Sequence, residues 1–212
     1  TPDRVKMEFM GGRIMSSDCA ERRWEHNSDR DLEGRLNLAY NLKLDQGTLD
    51  LKTGGLYRDK ARTSFCNYYT FNSDTGSDWE NFDDIEFYPR RSYGNIGGAL
   101  NYDASEKIGA AYAMVKYTLN DWEINGGVRA EHTDQGYQLL FPEESVDPEG
   151  NQKYWDILPS LHLKYGVHKN ANLRFSYARA INRPSFFEIA PYSIIGDDYK
   201  EEGNPDLKHT VA

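Results

Sequence analysis

The sequence predicts an all-β fold built from antiparallel, up-and-down hairpins. Three observations lead to this prediction: long stretches of alternating apolar and polar residues, short turns that alternate with long links, and an aromatic content of 13% in 212 residues. Successive side chains of a strand point to opposite faces, so such alternation makes one face of a sheet apolar and the other polar. The aromatic content argues against disorder, because disordered chains are poor in rings.

The first predicted hairpin spans about residues 31–58. Even positions from Leu32 to Leu44 are apolar or small, while the odd positions are mostly polar. This run is longer than most strands of globular proteins, which have ~5–6 residues. The turn residues 45–48 join it to a weaker alternating run that ends near Arg58.

Two further hairpins follow the same rule, at about residues 108–133 and 157–181. Their tight turns lie at Asn120-Asp121 and at His168-Lys169-Asn170, and a further strand is expected around Val5 to Phe9. Tight turns of this kind join antiparallel neighbours.

The hairpins are connected by long links at about residues 59–105, 134–153 and 182–206. Links beyond ~12–15 residues are uncommon in compact domains and are usually functional. The sheet is therefore expected to carry short turns at one end and large loops at the other.

Two architectures fit these hairpins. A transmembrane β-barrel turns its apolar face to lipid, whereas a soluble β-sheet module, for example a glycan-binding one, buries that face. The wide, charged polar face disfavours a filled core, and rings near the turns favour a membrane–water boundary. A small complete barrel that acts as a pore or adhesin is a third reading. In the membrane reading, the lipid-facing residues are Leu36, Leu38, Tyr40, Val115, Tyr117, Trp122, Val128, Leu163 and Phe175, and the lumen-facing residues are Arg35, Lys116, Glu123, Arg129, Glu131 and Arg174.

Composition and motifs exclude several classes of function. A formal net charge of -9 disfavours nucleic-acid binding, and no apolar run approaches the ~18 residues of a membrane-spanning helix. No serine-hydrolase, phosphate-loop or zinc-protease motif occurs, so we expect no enzyme activity, no cofactor and no metal site. Cys19 and Cys66 could form a disulfide or remain separate thiols.

The first long link holds the best candidates for ligand contact. Exposed rings are common binding anchors, and arginines can bind anionic groups through paired hydrogen bonds. The candidates are Tyr68, Tyr69, Trp79, Phe82, Tyr88, Arg90 and Arg91. Alternatively, the rings hold the loop against its neighbours and the arginines neutralise the acidic residues beside them.

Several motifs in the second half of the chain are similar to a known family. They are YWDILPSL at 154–161, LRFSYARAINRP at 173–184, FFEIAPY at 186–192 and GNPDLK at 203–208, preceded by IGAAY at 108–112 and GGVRAEHT at 126–133. In this order and spacing they resemble the later barrel region of TonB-dependent outer-membrane receptors, especially those of Bacteroidetes-like bacteria.

The resemblance implies a place in the outer membrane of a Gram-negative bacterium, within a ~22-stranded barrel with a plugged lumen. Such receptors import scarce nutrients: iron chelates, cobalamin, glycans or peptides. The implied partners are the lipid bilayer, the rest of the same barrel and its plug, the TonB complex acting through that plug, and in some systems a surface lipoprotein.

The chain departs from the family in length, because 22 strands of ~10 residues need more than twice this sequence. No segment resembles a plug domain. Residues 1–212 are therefore expected to form a central segment of the β-barrel. The Arg183-Pro184 and Gly203-Asn204-Pro205-Asp206 motifs are expected to shape the last loop and its return to the next strand.

Overall fold

The computed structural model describes residues 5–10, 13–73, 86–96, 101–142, 144, 146–195 and 199–212. Side chains are described for residues 21–72, 86–96, 101–142, 144, 146–192 and 199–212.

The fold is all-β and antiparallel, as predicted. In chain order the elements are β1 (Val5–Met10), β2 (Arg13–Leu44), β3 (Gly47–Ser73), β4 (Phe87–Pro89), β5 (Tyr102–Leu119), β6 (Trp122–Leu139), β7 (Glu149–His168), β8 (Ala171–Ala178), β9 (Ile181–Asn182), α1 (Phe186–Ile189), β10 (Ser193–Ile195), β11 (Lys200–Glu202) and β12 (Thr210–Val211). The main sheet has the order β1-β2-β3-β5-β6-β7-β8, with β4 paired to β3. Two small ladders join β10 to β11 and β9 to β12. Among the described residues, no helix has the length and apolar character needed to cross a membrane.

The three predicted tight turns are present. Turn residues 45–46, 120–121 and 169–170 connect β2 to β3, β5 to β6 and β7 to β8. Gly47 has φ 109° and Asn120 has φ 49°. Both values lie in the left-handed region, which glycine enters freely and asparagine enters more readily than most residues.

The strands are longer than predicted, and the predicted loop limits are wrong at several points. β2 begins at Arg13 and β3 runs to Ser73, so much of the link expected at residues 59–105 is strand. Alternation did not reveal the extension of β2 because residues 22–30 are polar apart from Trp24, so neither face reads as apolar in the sequence. Most of residues 59–72 in the extension of β3 are half-buried, yet they lack a regular apolar–polar alternation, and backbone hydrogen bonds hold both extensions in the ladder.

The other two links also differ from their predicted limits. β6 continues to Leu139 and β7 starts at Glu149, which shortens the link expected at residues 134–153. The link expected at residues 182–206 holds α1, β10 and β11.

The residues form two compact units. The first consists of Thr1–Ser28, Arg62–Asp103 and Gln138–Pro148. In its described part, Asn101 is 3% exposed and its side-chain amide donates hydrogen bonds to the carbonyls of Cys66 (3.0 Å) and Ile96 (2.8 Å). Cys66 is a buried free thiol, and the side chain of Cys19 lies outside the described residues.

The second unit consists of Asp29–Ala61, Ala104–Tyr137 and Glu149–Ala212. Its buried apolar residues are Ala104, Ile108, Tyr137, Phe186, Ile189 and Ala190. Its buried polar residues are Glu106, Glu131, Thr133, Gln135 and Asp156. These buried side chains come from strands β5, β6 and β7 and from the segment around α1, and the candidate site lies among them.

Candidate functional site

The apolar face of the strands in the second unit is largely exposed. Leu36 is 66%, Tyr40 63% and Phe175 57% exposed. Leu38, Val115, Trp122 and Val128 are also exposed, whereas Tyr117 and Leu163 are half-buried. So much apolar surface in contact with water is unfavourable, by roughly 25 cal/mol per Å².

Ring pairs lie on the same face. The rings of Trp122 and Tyr165 have centroids 4.5 Å apart, close to the tight turns, and those of His132 and Trp155 are 5.0 Å apart, farther along the same two strands. The hydroxyl of Tyr117 donates a hydrogen bond to the carbonyl of Gln46 at 2.9 Å. Rings with a polar edge suit the boundary between lipid and water.

The opposite face carries ion pairs. Lys116 lies 3.3 Å from Glu123 and Arg129 lies 3.2 Å from Glu131, measured between charged atoms. Arg35 pairs with Glu33. Arg174 lies opposite Lys164 in the register of β7 and β8. All six predicted lumen residues, Arg35, Lys116, Glu123, Arg129, Glu131 and Arg174, thus carry charge on the polar side of the alternation.

The polar face also holds an arginine that the sequence did not single out. Arg58 forms an ion pair with Asp31 and lies 4.0 Å from the buried carboxylate of Glu106. Its position in the alternating run was visible in the sequence, but its two partners come from other strands.

A segment from the last loop is folded against this face, and we call its described residues, 183–195 and 199–209, the covering segment. The guanidinium of Arg183 donates to the hydroxyl of Thr133 and to the carboxylate of Glu131, both at 3.1 Å. The side-chain amide of Gln135, a residue only 1% exposed, donates to the carbonyl of Pro184 at 2.8 Å. Three alternate positions on the polar face of β6 therefore hold the start of the covering segment.

Strand β7 holds the other end of the covering segment. The amide of Gln152 donates to the carbonyls of Pro205 (2.8 Å) and Leu207 (3.1 Å). His209 lies 3.1 Å from the buried carboxylate of Asp156, and its ring stacks on Tyr154 with centroids 4.0 Å apart.

Helix α1 places apolar side chains in the interior of this arrangement. Phe186 is 5% exposed, Ile189 2% and Ala190 0%. The ammonium of Lys60 lies 5.4 Å from the centre of the Phe186 ring, within the range of a cation–π interaction.

A capping box starts the helix. The hydroxyl of Ser185 accepts from the amide of Glu188, and the carboxylate of Glu188 accepts from the amide of Ser185 at 2.7 Å. That backbone hydrogen bond lowers the pKa of Glu188.

The GNPD motif turns the covering segment back. The amide of Gly203 donates to the carbonyl of Tyr192 (3.1 Å) and that of Asn204 to the carbonyl of Glu188 (2.8 Å). The side-chain oxygen of Asn204 accepts from the amide of Asp206 at 3.0 Å, which closes the turn. The GNPD motif therefore shapes the return of the chain, and Arg183-Pro184 fixes the start of the loop through its contacts with β6. The sequence predicts these structural roles.

Two tyrosines of the covering segment differ in exposure. Tyr199 is 67% exposed, whereas Tyr192 is half-buried and its hydroxyl donates to the carboxylate of Glu201 at 2.6 Å. Burial together with this carboxylate raises the pKa of Tyr192 to about 12.

The residues proposed for ligand contact do not form one loop. Tyr68 and Tyr69 belong to strand β3 and are half-buried. The ring of Tyr69 meets that of Trp24 edge-on at 5.1 Å, and the hydroxyl of Tyr68 pairs with the side chain of Asn95. These contacts agree with the alternative reading, in which the rings hold neighbouring segments together.

Three of the five remaining candidates for ligand contact lie in the part of the chain that the structure describes. Tyr88 lies in β4 and is 40% exposed, and Arg90 and Arg91 follow it on the surface. Trp79 and Phe82 lie outside the described residues. In the part of the chain that is described, no three His, Cys, Asp or Glu side chains are grouped so as to hold a metal ion.

A family profile decides which kind of sheet this is. The profile of the outer membrane protein beta-barrel family matches residues 17–212. The chain belongs to the outer membrane protein beta-barrel family. It is therefore located in the outer membrane, and the alternative of a soluble β-sheet module is wrong.

The fold of this outer-membrane barrel chain is similar to that of a solved transporter, the ferric citrate transporter FecA in its unliganded form. The TM-score is 0.54 at 16% sequence identity, and the match covers 84% of this chain and 23% of FecA. The barrel chain thus spans less than a quarter of the length of that protein. Comparison with curated protein sequences gives no match.

Proposed function

We propose that this chain forms part of the barrel wall and outer loops of a TonB-dependent receptor that actively imports a scarce nutrient. The observation that carries the proposal is the family match over residues 17–212, together with a fold similar to a transporter named for ferric citrate. The motif order resembling TonB-dependent receptors adds the energy-coupled mechanism. The proposed role is transport, with no catalytic activity.

The two faces support an orientation in the barrel. The exposed apolar face, with Leu38 and Val128, contacts lipid, because exposing so large an apolar surface to water would be unfavourable in free energy. The ion-paired face, with Arg129 and Glu131, is turned to the lumen. In the lumen, the covering segment rather than bare strand forms much of the wall beside β6 and β7.

The partners follow from the size of the chain. A stretch that matches 23% of FecA would supply only part of a large barrel. We propose that the rest of the barrel and a plug domain belong to the same receptor, and that the TonB complex acts through that plug. A surface lipoprotein is a further partner in systems that take up glycans or peptides.

The substrate class is proposed only broadly, as an iron chelate, a glycan, cobalamin or a peptide. The exposed residues Tyr88, Arg90 and Arg91 offer one ring and two cations that could contact a ligand from the outer side.

Transport by intact cells tests the proposal. Cells with and without the gene are supplied with labelled members of the four substrate classes, and uptake is measured with and without an uncoupler of the inner-membrane proton gradient. We expect one class to lose uptake both on gene deletion and on uncoupling. Gene-dependent uptake that persists with the uncoupler would indicate a passive pore instead.

A further inference from the structure

A short turn after β4 presents rings and cations on the surface of the first unit. Residues 88–93 read Tyr-Pro-Arg-Arg-Ser-Tyr, and we call them the YPRRSY turn. Every residue of the turn is exposed, with Tyr93 at 67%. The turn carries two arginines and no acidic residue, in a chain whose formal net charge is -9. Its charge is therefore opposite in sign to that of the chain as a whole.

Backbone hydrogen bonds to β3 fix the position of the YPRRSY turn. The amide of Arg90 donates to the carbonyl of Thr70 at 2.8 Å. Just after the turn, the amide of Asn95 donates to the carbonyl of Tyr68, also at 2.8 Å. The exposed turn is thus attached to the same strand on both sides of its two arginines.

A left-handed glycine and a side-chain amide fix the shape of the turn. Gly94 is buried and has φ 74°, a value that favours glycine, and its amide donates to the carbonyl of Arg91 at 3.1 Å. The side-chain amide of Asn67 donates to the carbonyl of Tyr93 at 3.2 Å. The protein organises this turn by its own contacts, and such order lowers the entropic cost of binding a ligand.

The two guanidinium groups of the turn have no partner in the part of the chain that the structure describes. There, neither Arg90 nor Arg91 makes an ion pair or a side-chain hydrogen bond. Arg23, from the same unit, lies 3.1 Å from Glu25. Two neighbouring cations on an organised turn repel each other, and a bound anion would offset that repulsion.

We propose that the YPRRSY turn is a binding site for an anionic ligand whose carboxylates pair with Arg90 and Arg91 and whose carbon skeleton lies against the ring of Tyr93. A guanidinium binds a carboxylate through two parallel hydrogen bonds, which provide both binding energy and direction. An exposed tyrosine offers a large contact area at a low cost in side-chain entropy. Tyrosine and arginine are also enriched among the residues that contribute most to binding.

This inference rests on the proposed function and narrows the substrate. Iron chelates, glycans and peptides each include members that carry carboxylates and members without net charge. The turn favours the carboxylate-bearing members of the imported class, because only they gain charge-assisted hydrogen bonds from the guanidinium groups. The sequence did not single out Tyr93, since its exposure depends on the turn that Gly94 closes.

Binding of paired probes to the purified full-length receptor tests the inference. The pairs are ferric citrate and an uncharged ferric hydroxamate chelate, an oligogalacturonate and the corresponding neutral galactose oligomer, and a glutamate-containing peptide and its glutamine analogue. We expect at least one carboxylate-bearing probe to bind at least about tenfold more tightly than its uncharged partner, with a Kd that rises as salt is added. Uncharged partners that bind equally or more tightly in every pair, or no binding of any carboxylate-bearing probe, would overturn the inference.

Matched variants test whether the two arginines carry this preference. Arg90→Gln combined with Arg91→Gln removes two charges that have no described side-chain partner, and the control, Arg30→Gln combined with Arg179→Gln, removes two exposed charges elsewhere. We expect the Kd of the best carboxylate-bearing probe to rise about a hundredfold in the first double variant, or about tenfold for each arginine, and less than about twofold in the control. Equal effects in the two double variants would assign the preference to overall charge and refute the site.

Only receptors that run as a heat-modifiable folded band are compared, and the probe pairs on the unaltered receptor remain decisive if a variant does not fold. Loss of bound lipopolysaccharide from the first double variant, with probe binding unchanged, would assign the arginines to membrane phosphates and contradict the inference. A receptor that binds the carboxylate-bearing probe through these arginines but imports none of it would keep the site and reject the transport proposal.

Discussion

At the scale of single residues, Glu131 shows that knowing the face on which a side chain lies does not identify its partners. Alternation placed this carboxylate on the polar side of β6, where it was expected to face a plug or channel. In the structure it is 7% exposed and accepts hydrogen bonds from Arg129 and from Arg183, a residue far along the chain. Alternation reports the side on which a residue lies, but it carries no information about a segment that folds over that side later.

Loss of Arg183 should loosen the covering segment. Arg183→Met removes the hydrogen bonds to Glu131 and Thr133 and leaves a buried carboxylate with one cation fewer. A loss of this kind costs about 1–3 kcal/mol. We expect faster amide hydrogen exchange over residues 183–192 in the folded barrel. Arg179→Met changes an exposed arginine just before the segment and should leave exchange there unchanged; equal effects of the two variants would contradict the role of Arg183.

The first turn of α1 should depend on pH through Glu188. The folded state has a lowered pKa for this carboxyl, so its contribution to stability is present above the unfolded value of about 4.3 and is lost as the pH falls through the lowered folded value. We expect amide exchange of the first turn, corrected for its intrinsic pH dependence, to accelerate as the pH is lowered below about 4.3. The Glu188→Gln variant should lack this acceleration, and an identical pH profile in both proteins would assign the effect to another group.

At the scale of elements, the covering segment depends on a close approach between its two arms. A Cβ on Gly203 would collide with the backbone carbonyl of Ala190 and lie 2.8 Å from the ring of Tyr192. Glycine is needed here because the backbones meet directly, not because of its φ angle. The sequence predicts that Gly203 belongs to a turn, but its close contact with Ala190 depends on where α1 lies.

Gly203→Ala should therefore destabilise the return of the chain toward β12. Overpacking of this kind costs about 1–3 kcal/mol. The matched control is Gly34→Ala in strand β2, where no atom lies within 4 Å of an added Cβ. We expect the first variant to lower the temperature at which the heat-modifiable band is lost and the second to leave it nearly unchanged. A greater loss of stability in Gly34→Ala would refute the close-contact argument.

At the scale of the whole molecule, membership in the outer-membrane family leads us to expect that the exposed leucines contact lipid. A spin label at Leu38 or Val128 should collide often with oxygen, which is concentrated in lipid, and rarely with a water-soluble nickel reagent. Labels at Arg35 and Arg129 should show the reverse preference. The labels are read in the full-length protein in bilayers, and a lipid-like signal at the two arginine positions would invert the assignment of the faces.

The sequence by itself determined the all-β class, the three tight turns and the division of each hairpin into an apolar and a polar side. These are local properties, since side-chain direction and turn geometry depend on residues close together in the chain. Tertiary structure decided how far β2 and β3 extend, because their outer parts pair with neighbouring strands without the regular alternation that identifies a strand in the sequence. It also decided that the covering segment lies on the polar face, since Glu131, Gln135 and Asp156 find their partners in that distant segment only once the chain has folded.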